Sequence, residues 1–145
     1  MSDGAPLPGR LGEVVDAFAD LPRDVKLELL LDYANGLPPL PERYAENRNA
    51  LERVHECQTP FFVATELEEG RVRLWFDAPD ESPTTKGFAG ILHAGLDGER
   101  VEDVLAVPAD FSARLGLSEA VSPLRLRGIA AILGVVQRQV RAQAH

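Results

Sequence analysis

The chain has 145 residues, 45% apolar and 26% charged, which fits one globular domain with a real core and excludes wholesale disorder. Its 15 basic against 23 acidic residues leave a net charge of −8, which argues against nonspecific binding to nucleic acid or an anionic membrane. One cysteine excludes an internal disulfide and a zinc cage built from thiolates, and no apolar run reaches the roughly 20 residues that span a bilayer. The lone thiol suits a reducing compartment, and residues 1–9 show no charged-then-apolar leader, so the expectation is a soluble, cytoplasmic protein.

Residues 1–9 are rich in Gly and Pro and predict a flexible tail, followed by one domain over 10–145. Leu11, Val14, Val15 and Phe18 recur at helical spacing. Pro22 opens a second helix with an apolar face of Val25, Leu29, Leu30 and Tyr33, stopped by Asn35 and Gly36. Leu-Pro-Pro-Leu-Pro at 37–41 reads as an extended, rigid linker.

The middle of the chain changes period. Residues 61–65 are strand-like, the polar stretch 66–70 ends in Gly70 and predicts a hairpin turn, and 71–76 set Val72, Leu74 and Phe76 against Arg71, Arg73 and Trp75. That alternation makes a half-buried strand. Ser82 and Pro83 look like a helix start, with Phe88, Ile91, Leu92 and Gly95 on one face. A weaker segment over 104–117 is broken at Pro108. Ser122 and Pro123 begin a last helix with the stripe Ile129, Ile132, Leu133, Val136 and Val140. There is no internal repeat. The pattern predicts a single α+β domain, a small antiparallel, hairpin-based sheet packed against several helices.

Cys57 is the first candidate for chemistry, because a thiolate is the side-chain nucleophile that attacks sulfur. A lone cysteine is more often a small buried hydrophobe. Here, however, its neighbours Arg53, His55, Glu56, Gln58, Thr59 and Pro60 suit a loop better than a core strand. Arg53 and His55 favour a thiolate and Glu56 opposes it. His55, two residues away in an extended segment, would share a side with Cys57, yet a cysteine and a histidine alone are no triad. His93 reads as a packing histidine and His145 as a terminal one, without metal-ligand spacing. Asp77, Asp80 and Glu81 read as a solvated turn, and the glycines form no phosphate loop.

Several segments, in order and in register, resemble the SufE-type (SufE/CsdE) sulfur acceptors of iron–sulfur cluster assembly. Cys57-Gln58-Thr59 before an apolar strand is similar to the family's Gly-Cys-Gln-Ser motif. Pro83 to Leu92, with Lys86-Gly87, resembles its Lys-Gly helix start. Val121 to Ile129, with Ser122, Pro123, Arg125 and Gly128, is similar to its Thr-Pro-Ser-Arg-x-x-Gly-Leu signature. Tyr33 with Gly36, Leu37 and Pro38 resembles its Leu-Gly-x-x-Leu-Pro turn. The likeness covers roughly residues 15–140.

The resemblance implies a persulfide carrier rather than a stand-alone enzyme. Cys57 would take sulfane sulfur from a PLP-dependent cysteine desulfurase of SufS/CsdA type, stimulate it, and pass the sulfur to an iron–sulfur scaffold complex. Arg125, Lys86, Gln58 and Thr59 would support the cysteine loop, with His55 beside it. The PLP would belong to the partner, leaving no cofactor here. Glu56 stands where the family has Gly, implying a loop that turns differently and a thiol pushed up. Two other readings use the same residues: a noncatalytic binding module with a structural Cys57, and a thiol hydrolase built on Cys57 and His55. The acceptor reading predicts Cys57 at a loop tip with its sulfur tucked against apolar neighbours. It predicts Ser122 as a helix cap, with Arg125 held by the Cys57 loop or by the acidic turn at Asp77 and Asp80.

Overall fold

A computed structural model describes residues 7–57, 59–117 and 121–144. The expected tail over 1–9 therefore lies mostly outside the described residues, as does His145. Helix α1 spans Gly9–Phe18 and buries Leu11, Val14 and Phe18, as their spacing predicts. Helix α2, Arg23–Asn35, buries Lys26, Leu30 and Ala34 at four-residue spacing. The face expected there is rotated, for Val25 is exposed. Lys26 joins the buried side by laying its stem along the core and donating from Nζ to the Gly116 carbonyl at 3.2 Å.

After an extended 37–41 the chain forms two short pieces its sequence did not announce. They are α3, Glu42–Ala45, and a 3₁₀ turn, Arg48–Ala50, followed by a two-residue strand β1, Glu52–Arg53. β2, Phe62–Glu68, and β3, Arg71–Asp77, complete an antiparallel sheet of order β1-β2-β3. The hairpin turn is tighter than 66–70: Glu69 and Gly70, at φ 55° and 81°, form a two-residue loop whose left-handed backbone matches strand twist. Val63 pairs with Phe76 and Thr65 with Leu74, all turned toward the helices, while Ala64 and Trp75 share the other face. That second face carries Arg71 and Arg73 at the start of the strand and turns apolar at Trp75. Tyr44, Leu40 and Leu51 cover it, and Tyr44 donates to Glu66 at 2.6 Å.

Helix α4, Pro83–Leu96, is the centre of the molecule, packing on α1, α2, β3 and the last helix. Gly87 and Gly90 let it meet α2 backbone to backbone. A Cβ on either would lie 2.5 Å from the Leu30 carbonyl or 2.1 Å from that of Tyr33, closer than any side chain tolerates. Ser82 sits at its N-cap position but does not cap it, and its buried hydroxyl has no partner among the described residues. The weak segment becomes two short helices around Pro108, α5 at Val101–Leu105 and α6 at Phe111–Arg114. Helix α7, Pro123–Gln143, lays Ile129, Ile132, Leu133, Val136 and Val140 against β2 and the core. Its buried Gln137 donates to the Val104 and Val107 carbonyls, tying α5 down. The α+β architecture predicted from the alternating and helical periods is the one observed.

Candidate functional site

The loop joining β1 to β2 is pinched at its neck, where the amide of the fully buried Val54 donates to the Phe61 carbonyl at 2.9 Å. Between these anchors the chain turns at His55 and Glu56, and the Cys57 amide closes the turn on the Val54 carbonyl at 3.1 Å. The alternation of polar loop and apolar anchors thus puts Cys57 at a loop tip. Its side chain folds inward: the residue is 6% exposed and the sulfur joins the edge of the main core. Glu56 needs no left-handed backbone, so glutamate replaces the resembled glycine without strain.

α7 arrives beside this loop at its first turn. Ser122 caps it, its hydroxyl oxygen accepting from the Arg125 amide at 3.3 Å, and Pro123 occupies the first position, where a missing N–H costs nothing. One turn on, Gly128 lies flat against the cysteine. The Cys57 thiol donates to its carbonyl at 3.5 Å, and a Cβ there would be 3.3 Å from both the Cα and the Sγ of Cys57. Thr85, buried in the first turn of α4, supplies the third side. Together Glu56, Cys57, Thr59, Thr85, Leu124, Arg125 and Gly128 line a cavity of about 50 Å³. That is room for a few atoms the size of a water oxygen or a sulfur.

The electrostatics hold the resting thiol neutral. Burial pushes Cys57 up to about 11, the Glu56 carboxylate adds to this, and the Arg53 guanidinium works against it. A neutral thiol hydrogen-bonded to a carbonyl is a poor nucleophile. The site is closed over its thiol.

Of the supporting residues expected from sequence, Thr59 and Arg125 meet Cys57 at the cavity, and Gln58 lies outside the described residues. Arg125 stands on the Cys57 side, while at the acidic turn Asp77 pairs with Arg48 and Asp80 with Lys86. Lys86 is not at the cavity; its amine meets Asp80 at 2.7 Å beside Leu37, Pro38 and Phe76. His55 does not share the side of Cys57, because the segment turns instead of running extended. His55 lines a separate groove with Arg53 and Arg138, and no hydrogen bond joins it to Cys57 among the described residues. Thr85, Leu124 and Gly128 were not singled out by sequence reasoning as cavity walls. Their signal was present in the motifs around Lys86 and Arg125, one residue away in two cases. Among the described residues no three His, Cys, Asp or Glu side chains converge as a metal site, and no helix is long and apolar enough to cross a membrane.

Comparison with known proteins places the chain in a wider group. The family model SufE, described as an Fe–S metabolism associated domain, matches residues 12–140. An uncharacterized SufE-like protein of Mycobacterium tuberculosis is 51% identical over 142 residues, covering 97% of this chain and 98% of its own. The cysteine desulfuration protein SufE of Plasmodium falciparum is 26% identical over 137 residues, 90% of this chain and 53% of its own. The solution structure of a hypothetical protein from Thermus thermophilus superposes with a TM-score of 0.85 at 47% identity, covering 96% of this chain and 98% of that one.

Proposed function

The chain belongs to the SufE family of Fe–S metabolism associated domains, a sulfur-transfer family, and on that premise we propose that Cys57 is its sulfur acceptor. The donor in this reading is the cysteine persulfide of a PLP-dependent cysteine desulfurase, the receiver is an iron–sulfur scaffold complex, and the acceptor domain is the whole of residues 10–145. The site of action is the reducing cytoplasm, which keeps a lone thiol free.

One observation carries the reading. The chain's sole cysteine sits at a loop tip beside a cavity large enough for an added sulfur atom, with Arg125 among the residues of its wall. Transfer then balances simply. The Cys57 sulfur attacks the terminal sulfur of the donor's Cys–S–SH, a new S–S bond forms on Cys57, and the donor's S–S bond breaks. The proton leaving Cys57 goes to the departing donor thiolate, so one thiol and one persulfide become one persulfide and one thiol.

The closed thiol supplies the regulation. With its pKa up near 11, Cys57 is inert until docking moves the loop away from Gly128 or sets positive charge beside it. Removing the terminal sulfur from the donor's persulfide resets the desulfurase for its next cycle, which is how this chain stimulates turnover. Thr59 and Arg125 shape the cavity, whereas Lys86 acts on the fold through Asp80. The test is the intact mass of the chain after incubation with a cysteine desulfurase and free cysteine. One added sulfur atom, mapped to Cys57, is the expected result. An unchanged mass would return the chain to the reading of a binding module with a structural cysteine.

A further inference from the structure

α7 carries Arg125, Arg127, Arg138 and Arg141 and not one Asp or Glu in its 21 residues, in a chain whose net charge is −8. Much of the other positive charge is matched: Arg10 meets Glu99, Arg43 meets Glu66, Arg48 meets Asp77 and Arg73 meets Asp97. On α7, Arg138 finds Glu52, while the exposed Arg127 and Arg141 have no carboxylate among the described residues. Arg127, Gly134, Arg138 and Arg141 lie on the side of the helix away from the buried stripe of Ile129, Ile132 and Val136.

The middle of that face is hollow. A Cβ on Gly134 would meet nothing within 4 Å, and Ala131, Gly134 and Val135 floor a groove of about 340 Å³. Glu52, Arg53, His55 and Glu56 form its other wall. Glu56 also lines the Cys57 cavity, so the groove leads up to the reactive loop.

We infer that this groove docks a carboxylate-bearing helix of the sulfur-donating enzyme, laid along α7 with its acids against Arg127 and Arg141. The inference rests on the acceptor reading above. Arginine's planar fork suits carboxylates, and charges on an interface rim steer and orient an approaching partner. The small floor residues let a second helix come close to α7 without displacing side chains. A second copy of this chain fits worse, because a symmetric contact through α7 would set arginine against arginine between two acidic molecules.

The test is titration of the full chain with a PLP-dependent cysteine desulfurase at low and high salt. Arg127→Glu/Arg141→Glu is compared with Arg23→Glu, a reversal on the distant, exposed start of α2. The double reversal is expected to weaken binding at least about tenfold at low salt and far less at high salt, with Arg23→Glu near wild type. Gly134→Met fills the groove without straining the chain, and its loss of affinity is expected at both salt concentrations, because a steric block is not screened. Thermal unfolding confirms that each variant is folded. Wild-type affinity in both groove variants overturns the inference, as does a wild-type chain that does not bind the enzyme, or a dimer that the double reversal dissolves. The acceptor reading fails separately, if saturating enzyme adds no sulfur to wild-type Cys57 whatever the affinities.

Discussion

Gly128 and Cys57 touch face to face across the seam between α7 and the β1–β2 loop. The thiol donates to the Gly128 carbonyl at 3.5 Å, and a methyl at 128 would sit 3.3 Å from Cys57 Sγ, Cys57 Cα and the Glu56 carbonyl. Two of those three neighbours are backbone atoms, so the loop itself must give way. Gly134, further along the same helix, has open space where its Cβ would be. Alanine at the two positions should therefore act oppositely. Gly134→Ala is expected to stabilise by about 0.5–1 kcal/mol, the ordinary helix gain over glycine. Gly128→Ala is expected to lose that gain to the displaced loop and to raise the rate at which Cys57 reacts with a thiol reagent several-fold. Chemical denaturation and a thiol-titration time course read both. Equal stabilisation by the two alanines, with unchanged thiol reactivity, would show that the contact does not hold the loop shut.

The buried thiol makes a pH prediction with a definite sign. Its ordinary value is 9.0 and the folded chain raises it to about 11, mainly through burial and then through Glu56. Between these values the unfolded chain has released the proton and the folded chain has not. The folded state therefore binds more protons, and stability falls as pH rises from about 9 to 11. A shift of this size corresponds to roughly 2–3 kcal/mol, fully present below pH 9. Unfolding free energies of wild type and Cys57→Ser, measured across that range, should change relative to each other by this order as pH rises. Alkylation of Cys57 in the folded chain should be slow at pH 7 and accelerate toward pH 11. Glu56→Gln should move that acceleration to lower pH without restoring an ordinary thiol, because burial is the larger cause. Parallel stability curves for wild type and Cys57→Ser would exclude a raised thiol pKa.

Elements whose signal was periodic were legible in the chain alone. Val72, Leu74 and Phe76 alternate and lie inward on β3, and the stripe from Ile129 to Val140 is the buried face of α7. What stayed hidden has physical reasons. α3 and β1 have four and two residues, too few for any period to register. Lys26 is buried through a bond to a carbonyl 90 residues away, and Trp75 lies under Tyr44, a neighbour that appears only once α3 folds over the sheet. The site divides in the same way. Cys57, Thr59 and Arg125 could be picked out because motifs mark them, whereas Thr85 and Gly128 become walls by tertiary contact, and Lys86 and His55 point to other surfaces.

Arg125 offers a test of docking distinct from chemistry. It is exposed and lines the cavity with Cys57, while Asp77 and Asp80 of the acidic turn are engaged by Arg48 and Lys86. A cation in the first turn of a helix gains nothing from the helix dipole, so its benefit has to come from a partner. Arg125→Glu is expected to leave unfolding within about 0.5 kcal/mol of wild type, since exposed substitutions rarely do more. Affinity for the desulfurase should fall several-fold at low salt and less at high salt, as screening removes charge contributions. An affinity that is unchanged at low salt would assign Arg125 to the cavity wall alone.

The last prediction separates binding from transfer. Cys57→Ser removes the nucleophilic sulfur with little change in volume, in a place where the thiol makes one weak bond to Gly128. The fold should survive with a loss of about 1 kcal/mol, because a hydroxyl is less content than a thiol among apolar neighbours but can still donate to the same carbonyl. Binding to the desulfurase should be largely kept, since it rests on the surface around the loop. Sulfur uptake should vanish, because a hydroxyl stays protonated at neutral pH and does not attack a persulfide usefully. Three measurements on one variant check this: thermal unfolding, partner titration, and intact mass with desulfurase turnover in the absence of reductant. Retained affinity with no added sulfur and no stimulation is the expected combination. If Cys57→Ser stimulates turnover as wild type does, this cysteine is not the acceptor, and the chain acts on its partner by docking alone.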